Sequence, residues 1–235
     1  MFKVLVIIPA YNEELSIQHV IREIKSHMSS VDILVINDGS TDNTEAVVKE
    51  EGTKVLSMPF NVGIGGTMQT GYIYARDNGY DVAVQMDADG QHAAADLPKL
   101  LSRVEENDLV IGSRFLEQTS YRAPLMRKVG IRFFSLLVSL VTKQRFTDTT
   151  SGFRAAGRKV IELYADYYPM DYPEVESIVY LTNRKCKLVE VKAEMRQREA
   201  GKSSITPFKS AYYMIKVTLS VLISAVRFKE VKSLP

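Results

Sequence analysis

The stretch Val82-Ala83-Val84-Gln85-Met86-Asp87-Ala88-Asp89-Gly90-Gln91-His92 decides how this chain reads. Val82–Met86 is an apolar run of strand length, and it ends on two carboxylates and an amide. Side chains at i and i+2 of a strand point the same way, so Asp87 and Asp89 leave the strand end together. Oxygen ligands at that spacing suit a hard cation such as Mg²⁺ or Mn²⁺. A cation held by only part of a shell has room for a ligand's phosphates.

Strand and helix signals alternate around that stretch. Val4–Ile8 reads as a buried strand. Ile17, Val20, Ile21, Ile24 and Met28 follow at helical spacing. Ile33–Ile36 is a second strand, and Ser40, Thr41 or Asp42 can cap the helix that runs through Ala46–Val48. Val55–Met58 is a short strand, residues 64–78 a helix, residues near 96–106 another helix, and Leu109–Ile111 a strand. This alternation predicts right-handed βαβ units and a mostly parallel sheet covered on both faces. Ligands of such sheets bind at the carboxyl ends of strands. Asn12-Glu13-Glu14, Asn37-Asp38-Gly39-Ser40 and Asp87-Ala88-Asp89 each follow a strand.

The rhythm changes after about residue 120. Residues 124–141 read as a long helix, basic at its start and apolar later. Thr149–Ala155 is a strand or loop, residues 158–165 and 174–183 are helices, and Lys187–Ala193 is a strand. Residues 207–228 form a last helix. No internal repeat or low-complexity linker divides the chain, so residues 1–205 are expected as one α/β domain and residues 206–235 as a helical extension.

Composition narrows the function classes. The 235 residues are 46% hydrophobic and 25% charged, ordinary for a globular protein. A net charge of +2 carries no global polyanion signature, so nucleic acid is not an expected partner. The charge is uneven, however. Residues 120–158 hold Arg122, Arg127, Lys128, Arg132, Lys143, Arg145, Arg154 and Arg158 against a single acid, Asp148. A basic second half beside an acidic motif points to an anionic partner. The single cysteine, Cys186, has no internal disulfide partner and no zinc pattern, which fits a reducing cytoplasm. The N-terminus enters a strand pattern without a signal-peptide layout. The longest uncharged apolar runs, Phe133–Thr142 and Val217–Val226, are ten residues each, too short to span a bilayer.

Taken singly, the turn motifs have plain structural explanations. Pro9-Ala10-Tyr11-Asn12-Glu13-Glu14 is also a strand-to-helix turn whose acids suit a helix dipole. Asn37-Asp38-Gly39-Ser40-Thr41-Asp42 is also an Asx turn with a helix cap. Asn61-Val62-Gly63-Ile64-Gly65-Gly66-Thr67 matches neither GxGxxG nor a P-loop, and reads first as a glycine-rich helix entry; Gly63 also permits close backbone approach to a nucleotide. Together, in this order and spacing with Asp87–His92, the motifs resemble family 2 glycosyltransferases. The branch resembled is that of dolichol-phosphate mannose synthase and bacterial polyprenyl-phosphate glycosyltransferases. Gly112-Ser113-Arg114, Asp148–Arg154 and Arg198-Glu199-Ala200-Gly201-Lys202-Ser203 extend the resemblance to about residue 205.

The resemblance implies a GT-A fold, a UDP- or GDP-sugar donor and Mg²⁺ or Mn²⁺. By motif position, Pro9, Tyr11, Glu13 and Asp38 line the nucleoside pocket. Asp87 lies beside ribose and metal, while Asp89 and Gln91 ligate the cation. Arg114 and Arg127 match positions that hold an acceptor phosphate, and with Asp89 they form the expected catalytic set. Arg154, Arg198 and Lys202 can serve either phosphate: Arg198 and Lys202 are assigned to the donor, Arg154 and Ser151 to the acceptor. Guanidinium forks suit phosphate. The implied acceptor is polyprenyl phosphate, attacked on in line to invert the sugar. Glu174 and Glu176 stand where sugar-to-sugar transferases carry an acidic pair. Glu176 is expected to contact sugar hydroxyls, or to act as base in the alternative reading, extension of a saccharide. His92 is expected to orient the metal site, approach the phosphates or simply pack.

The last helix carries Tyr212, Tyr213, Ile215, Leu219, Leu222, Ile223, Val226 and Phe228, a wide apolar surface with lysines nearby. It is expected to lie on the cytoplasmic face of a membrane, or to pack in the core or in an oligomer. A homo-oligomer or a small membrane-anchor protein is the further partner expected there.

Overall fold

The structure, a computed structural model, describes residues 2–117, 125–171, 173–196 and 207–227, with side chains throughout except at 125–127, 207–213, 226 and 227. The strands are β1 (Val4–Ala10), β2 (Asp32–Asn37), β3 (Lys54–Ser57), β4 (Val82–Gln85), β5 (Leu109–Ser113), β6 (Arg154–Gly157) and β7 (Leu188–Lys192). The helices are α1 (Ile17–His27), α2 (Thr44–Glu50), α3 (Gly63–Asp77), α4 (Leu97–Leu101), α5 (Leu125–Thr142), α6 (Arg158–Asp166), α7 (Pro173–Asn183) and α8 (Pro207–Arg227).

One seven-stranded sheet runs in the order β3-β2-β1-β4-β6-β5-β7. All neighbours are parallel except β6, which lies antiparallel between β4 and β5. Strand residues alternate between two cores. Leu5, Ile7, Leu34 and Ile36 face α3 and α6–α8, while Val4, Val6, Ile8 and Val35 face α1, α2 and α4. Burial on both faces explains why these strands read as continuous apolar runs. On α1, Ile17, Val20, Ile21 and Ile24 bury one stripe. The helix expected over 96–106 is shorter: α4 ends at Leu101 and turns fill the rest. Thr149–Ala155 resolves into a loop followed by β6.

The chain winds from β1 outward to β3, then returns to place β4 on the other side of β1. The crevice at such a reversal lies at the carboxyl ends of β1 and β4. Asp38 N–H donates to the Ala10 carbonyl at 2.8 Å and Met86 N–H to the Ile7 carbonyl at 3.1 Å, so the three motif turns leave one edge side by side.

Candidate active site

The first two turns are laced together. Asn12, at a φ of 55°, accepts the Thr41 N–H on Oδ1 at 2.8 Å, and its own N–H reaches Ser40 Oγ at 2.9 Å. Glu13 N–H donates to Thr44 Oγ1, and Asn43 N–H to Glu14 Oε2, both at 2.9 Å. Pro9 is half-buried and Tyr11 exposed on this rim, with Glu13 beside them accepting the Ser16 hydroxyl at 2.7 Å.

Asp38, expected in the nucleoside pocket, holds the loop that enters α3. Its carboxylate accepts the N–H groups of Val62 at 2.7 Å and Gly63 at 3.0 Å, and the residue is buried. It braces the glycine-rich entry to α3 and shapes the crevice through that loop. Gly39 permits this closeness. It sits at a φ of 69°, and a Cβ there would come within 2.8 Å of the Phe60–Asn61 backbone. Gly65 makes a second close approach, because a Cβ would fall 2.3 Å from Met170 Cα.

The carboxylate motif follows β4. Asp89 is buried and accepts the Gln91 N–H on Oδ1 at 3.0 Å. Gln91 donates Nε2 to the Arg196 carbonyl at 3.3 Å, which leaves Oε1 as its lone-pair end. Arg196 in turn donates its N–H to the Gln91 carbonyl at 2.8 Å, and its guanidinium grips Glu23 of α1 at 2.9 and 3.0 Å. Asp87, Asp89 and Gln91 thus offer hard oxygens, the chemistry a Mg²⁺ or Mn²⁺ site requires. Among the described residues, no three His, Cys, Asp or Glu side chains form a closed cage. A partial shell of two carboxylates and an amide is consistent with that.

His92 is 3% exposed and stacks on Phe153, with ring centroids 5.0 Å apart. The Asp87 N–H donates to its Nδ1 at 3.1 Å, so the neutral ring carries its hydrogen on Nε2. Nε2 is buried without a hydrogen-bond partner and lies 3.7 Å from Asp87 Oδ2. Of the roles open to this histidine, holding the Asp87 turn is the one the geometry displays.

The loop before β6, the antiparallel neighbour of β4, approaches the same carboxylate. A Cβ on Gly152 would sit 3.2 Å from both Asp87 oxygens. Four residues earlier, Asp148 is fully buried and clamps Arg114, with Nε–Oδ2 at 2.5 Å and Nη2–Oδ1 at 2.6 Å. Arg114 also donates to Thr150 Oγ1 at 2.7 Å. Glu190 of β7 accepts the N–H groups of Thr147 and Asp148 at 2.8 and 2.7 Å. Burial pushes its carboxyl above the usual carboxylate range, against those hydrogen bonds. Beside this network lies a cavity of about 560 Å³, lined by Arg114, Lys128, Arg132 and Arg145, with Glu117 as its acid. Its apolar wall includes Ile131 and Leu136 of α5.

Residues 5–164 match the family model described as Glycosyl transferase family 2. The chain belongs to glycosyl transferase family 2. It is 32% identical over 219 residues to the undecaprenyl-phosphate mannosyltransferase of Micrococcus luteus, covering 87% of this chain and 88% of the relative. It is 32% identical over 202 residues to the UDP-N-acetylglucosamine–dolichyl-phosphate N-acetylglucosaminyltransferase of Methanococcus voltae, covering 77% and 80%. A crystal structure of glucosyl-3-phosphoglycerate synthase from Mycobacterium tuberculosis with Mn²⁺, UDP and glucosyl-3-phosphoglycerate superposes with a TM-score of 0.73 at 21% identity, covering 95% of this chain and 80% of that one. The fold is GT-A.

The structure shows the partners of several side chains expected at the site of this family 2 transferase. Arg154 is 1% exposed and donates to Ser151 O at 2.7 Å, Ser177 Oγ at 2.9 Å, Thr149 O at 3.1 Å and Glu174 O at 2.8 Å. It ties β6 to the 149–151 loop and α7. Ser151 is buried with its hydroxyl on the Phe153 N–H, so it shapes the turn. Glu176 is held against Tyr167 and α8. Its carboxylate accepts the hydroxyls of Ser220 and Ser224 on α8 and of Tyr167. Arg114 lines the cavity, yet most of its fork is committed to Asp148 and Thr150. The Arg127 side chain, Arg198 and Lys202 lie outside the described residues.

The other acid of the pair, Glu174, is the one whose surroundings include the site. Burial pushes its carboxyl above the usual range, against the pull of Arg154, and the Asp87 charge adds to the rise. Lys128, Arg132, Arg145 and the Glu23–Arg196 brace carry no motif. Only the uneven charge of residues 120–158 signals the first three.

Proposed function

We propose that this transferase moves one sugar from a nucleoside-diphosphate sugar to polyprenyl phosphate, with inversion at the anomeric carbon and with a divalent cation. The observation that carries this reading is the basic cavity beside the apolar face of α5. Residues 148–152 connect its Arg114 wall to Asp87, a span of at most about 18 Å even fully extended. A phosphate monoester with an apolar chain matches that pairing of cations and apolar wall, and two of the relatives above are named for undecaprenyl and dolichyl phosphate.

In the reaction, an acceptor phosphate oxygen attacks the anomeric carbon. The bond from that carbon to the donor diphosphate breaks, and its electron pair leaves with the diphosphate. The phosphate is already anionic near neutral pH, so no strong base is needed. Lys128, Arg132 and Arg145 lower the repulsion between two anions brought together. Asp89, Gln91 and Asp87 would hold the cation, which when bound neutralises charge on the departing diphosphate. The 11–14 and 38–44 turns form the rim toward the nucleoside.

Glu174 favours a second reading, a saccharide acceptor. Burial raises its carboxyl above the usual range, and such a group can take a proton from a hydroxyl nucleophile. Incubating the enzyme and Mn²⁺ with labelled UDP- or GDP-sugars, polyprenyl phosphate and an oligosaccharide separates the two. Label in the organic phase, acid-labile and of inverted configuration, is expected; label only in water-soluble glycan would overturn the lipid acceptor.

A further inference from the structure

Among the buried residues of α1, Glu23 alone is charged; the others are Ile17, Val20, Ile21 and Ile24. A carboxylate in such a stripe is not there for stability. Taking it out of water costs several kcal/mol, roughly, and an apolar side chain of similar volume serves packing as well or better. Its partners show what it does hold. Oε1 accepts the Ala94 N–H at 3.2 Å, three residues after Gln91. The Arg196 guanidinium forks onto both oxygens at 2.9 and 3.0 Å. The remaining contact is His19, one turn earlier on the same helix at 3.7 Å.

Arg196 in turn holds Gln91 twice. Its N–H donates to the Gln91 carbonyl at 2.8 Å, and its carbonyl accepts Gln91 Nε2 at 3.3 Å. Next to it, Met195 pairs with His92 in an antiparallel bridge. Residues 195 and 196 therefore lie as a short strip along Gln91 and His92, pinned to α1 by the fork. The consequence for Gln91 is chemical. A primary amide ligates a hard cation only through its oxygen, because the NH₂ end offers hydrogens and no lone pair. The two ends are nearly equal in size, so an unheld amide can turn over. The Arg196 carbonyl occupies the NH₂ end and leaves Oε1 for a cation.

We propose that Glu23 and Arg196 are positioning residues for the divalent cation, acting through the amide of Gln91. The inference rests on the cation part of the function above. It adds two residues that carry no motif, one of them on a helix that contributes no ligand. A plain brace between α1 and the 195–196 strip would raise stability and leave the metal indifferent, so metal affinity separates the two.

The test is Mn²⁺ binding to the full chain with UDP or GDP, read as free Mn²⁺ by electron paramagnetic resonance, beside the thermal melt. Arg196→Ala should weaken Mn²⁺ binding about tenfold or more, the scale for losing a group that orients a metal ligand. Arg196→Lys should recover part of that loss. Glu23→Gln should act in the same direction as Arg196→Ala, because an amide cannot take the whole fork. Transfer by these variants should return toward the wild-type kcat at saturating Mn²⁺. In a Gln91→Ala background, Arg196→Ala should cost no further affinity. Arg22→Ala, which removes the exposed Arg22–Glu51 pair from the same helix, should leave Mn²⁺ binding unchanged. Wild-type Mn²⁺ affinity in Arg196→Ala, an equal loss in the Gln91→Ala background, or an equal loss in Arg22→Ala would overturn the clamp and leave the cation reading standing. No Mn²⁺ binding by the wild-type chain with either nucleotide would overturn the cation reading, and the clamp with it.

Discussion

Around β1, β2 and β4, acidic and amide side chains are braced by backbone amides; around β5 and β6, basic side chains are braced by other side chains and by carbonyls. Asp38 holds two loop amides and Asp89 one, and the Asp87 amide is held by His92. Arg114 is matched by Asp148, and Arg154 is surrounded by three carbonyls and a serine hydroxyl. An amide-braced carboxylate keeps its negative charge available to a cation. A guanidinium enclosed by acceptors has spent its donors on the fold. The donor-side motifs therefore keep their charge available, whereas two arginines of the second half are bound into the fold. The cations on the cavity wall, to which the proposed function assigns the acceptor, carry no motif.

The largest effect expected from this contrast is on the donor side. Asp89→Ala should lower transfer about a thousandfold, the scale for losing an electrostatic stabiliser, while the melting temperature changes little. Turnover near wild type with Mn²⁺ present would break the comparison at its first term. Arg154→Ala should do the opposite. Removing a buried hub costs about 3–5 kcal/mol, and at about 2–4 °C per kcal/mol the melt should fall by roughly 10 °C. If the melt holds and only the acceptor KM rises, Arg154 is a phosphate ligand after all. Arg132→Ala and Arg145→Ala should each raise the acceptor KM about tenfold, with donor KM and melting temperature unchanged, since these side chains are exposed. Unaltered acceptor kinetics in both would remove the cavity from the reaction.

The smallest expected effect concerns Glu174. Its folded pKa is raised, so the ionised carboxyl costs stability once pH exceeds the unfolded value, and fully so above the folded one. Glu174→Gln should therefore melt about 2–4 °C higher at pH 8, with the advantage fading toward pH 4, where the native carboxyl is protonated. A variant that gains equally at both pH values would show that charge is not the cause.

Much of this was legible from local pattern. The strands from β1 to β5 are short apolar runs between polar turns, and α1 shows its buried stripe at helical spacing. The Asp87–Gln91 motif was legible as an oxygen donor set because its geometry depends on neighbours in sequence. Glu174 and Glu176 were not separable in this way. They stand two residues apart in the first turn of α7, and about 200° of rotation turns one toward the site and the other toward α8. Which faces which depends on how α7 packs under α8, and no local pattern encodes that.

By itself, then, the sequence determined the α/β alternation, the edge of the sheet that carries polar turns, and the donor set that suits a hard cation. Each depends on period, strand polarity or spacing within a few residues. Only the tertiary structure decided which arginines are consumed by Asp148 and by the α7 carbonyls. It alone decided that Glu176 serves α8, and that Glu23 reaches Arg196. These outcomes depend on pairs far apart in sequence, such as Glu174 with Arg154, 20 residues apart, and Ser224 with Glu176, 48 apart. A buried charge takes whichever partner the packing brings within reach, and that choice is made only when the chain has closed on itself.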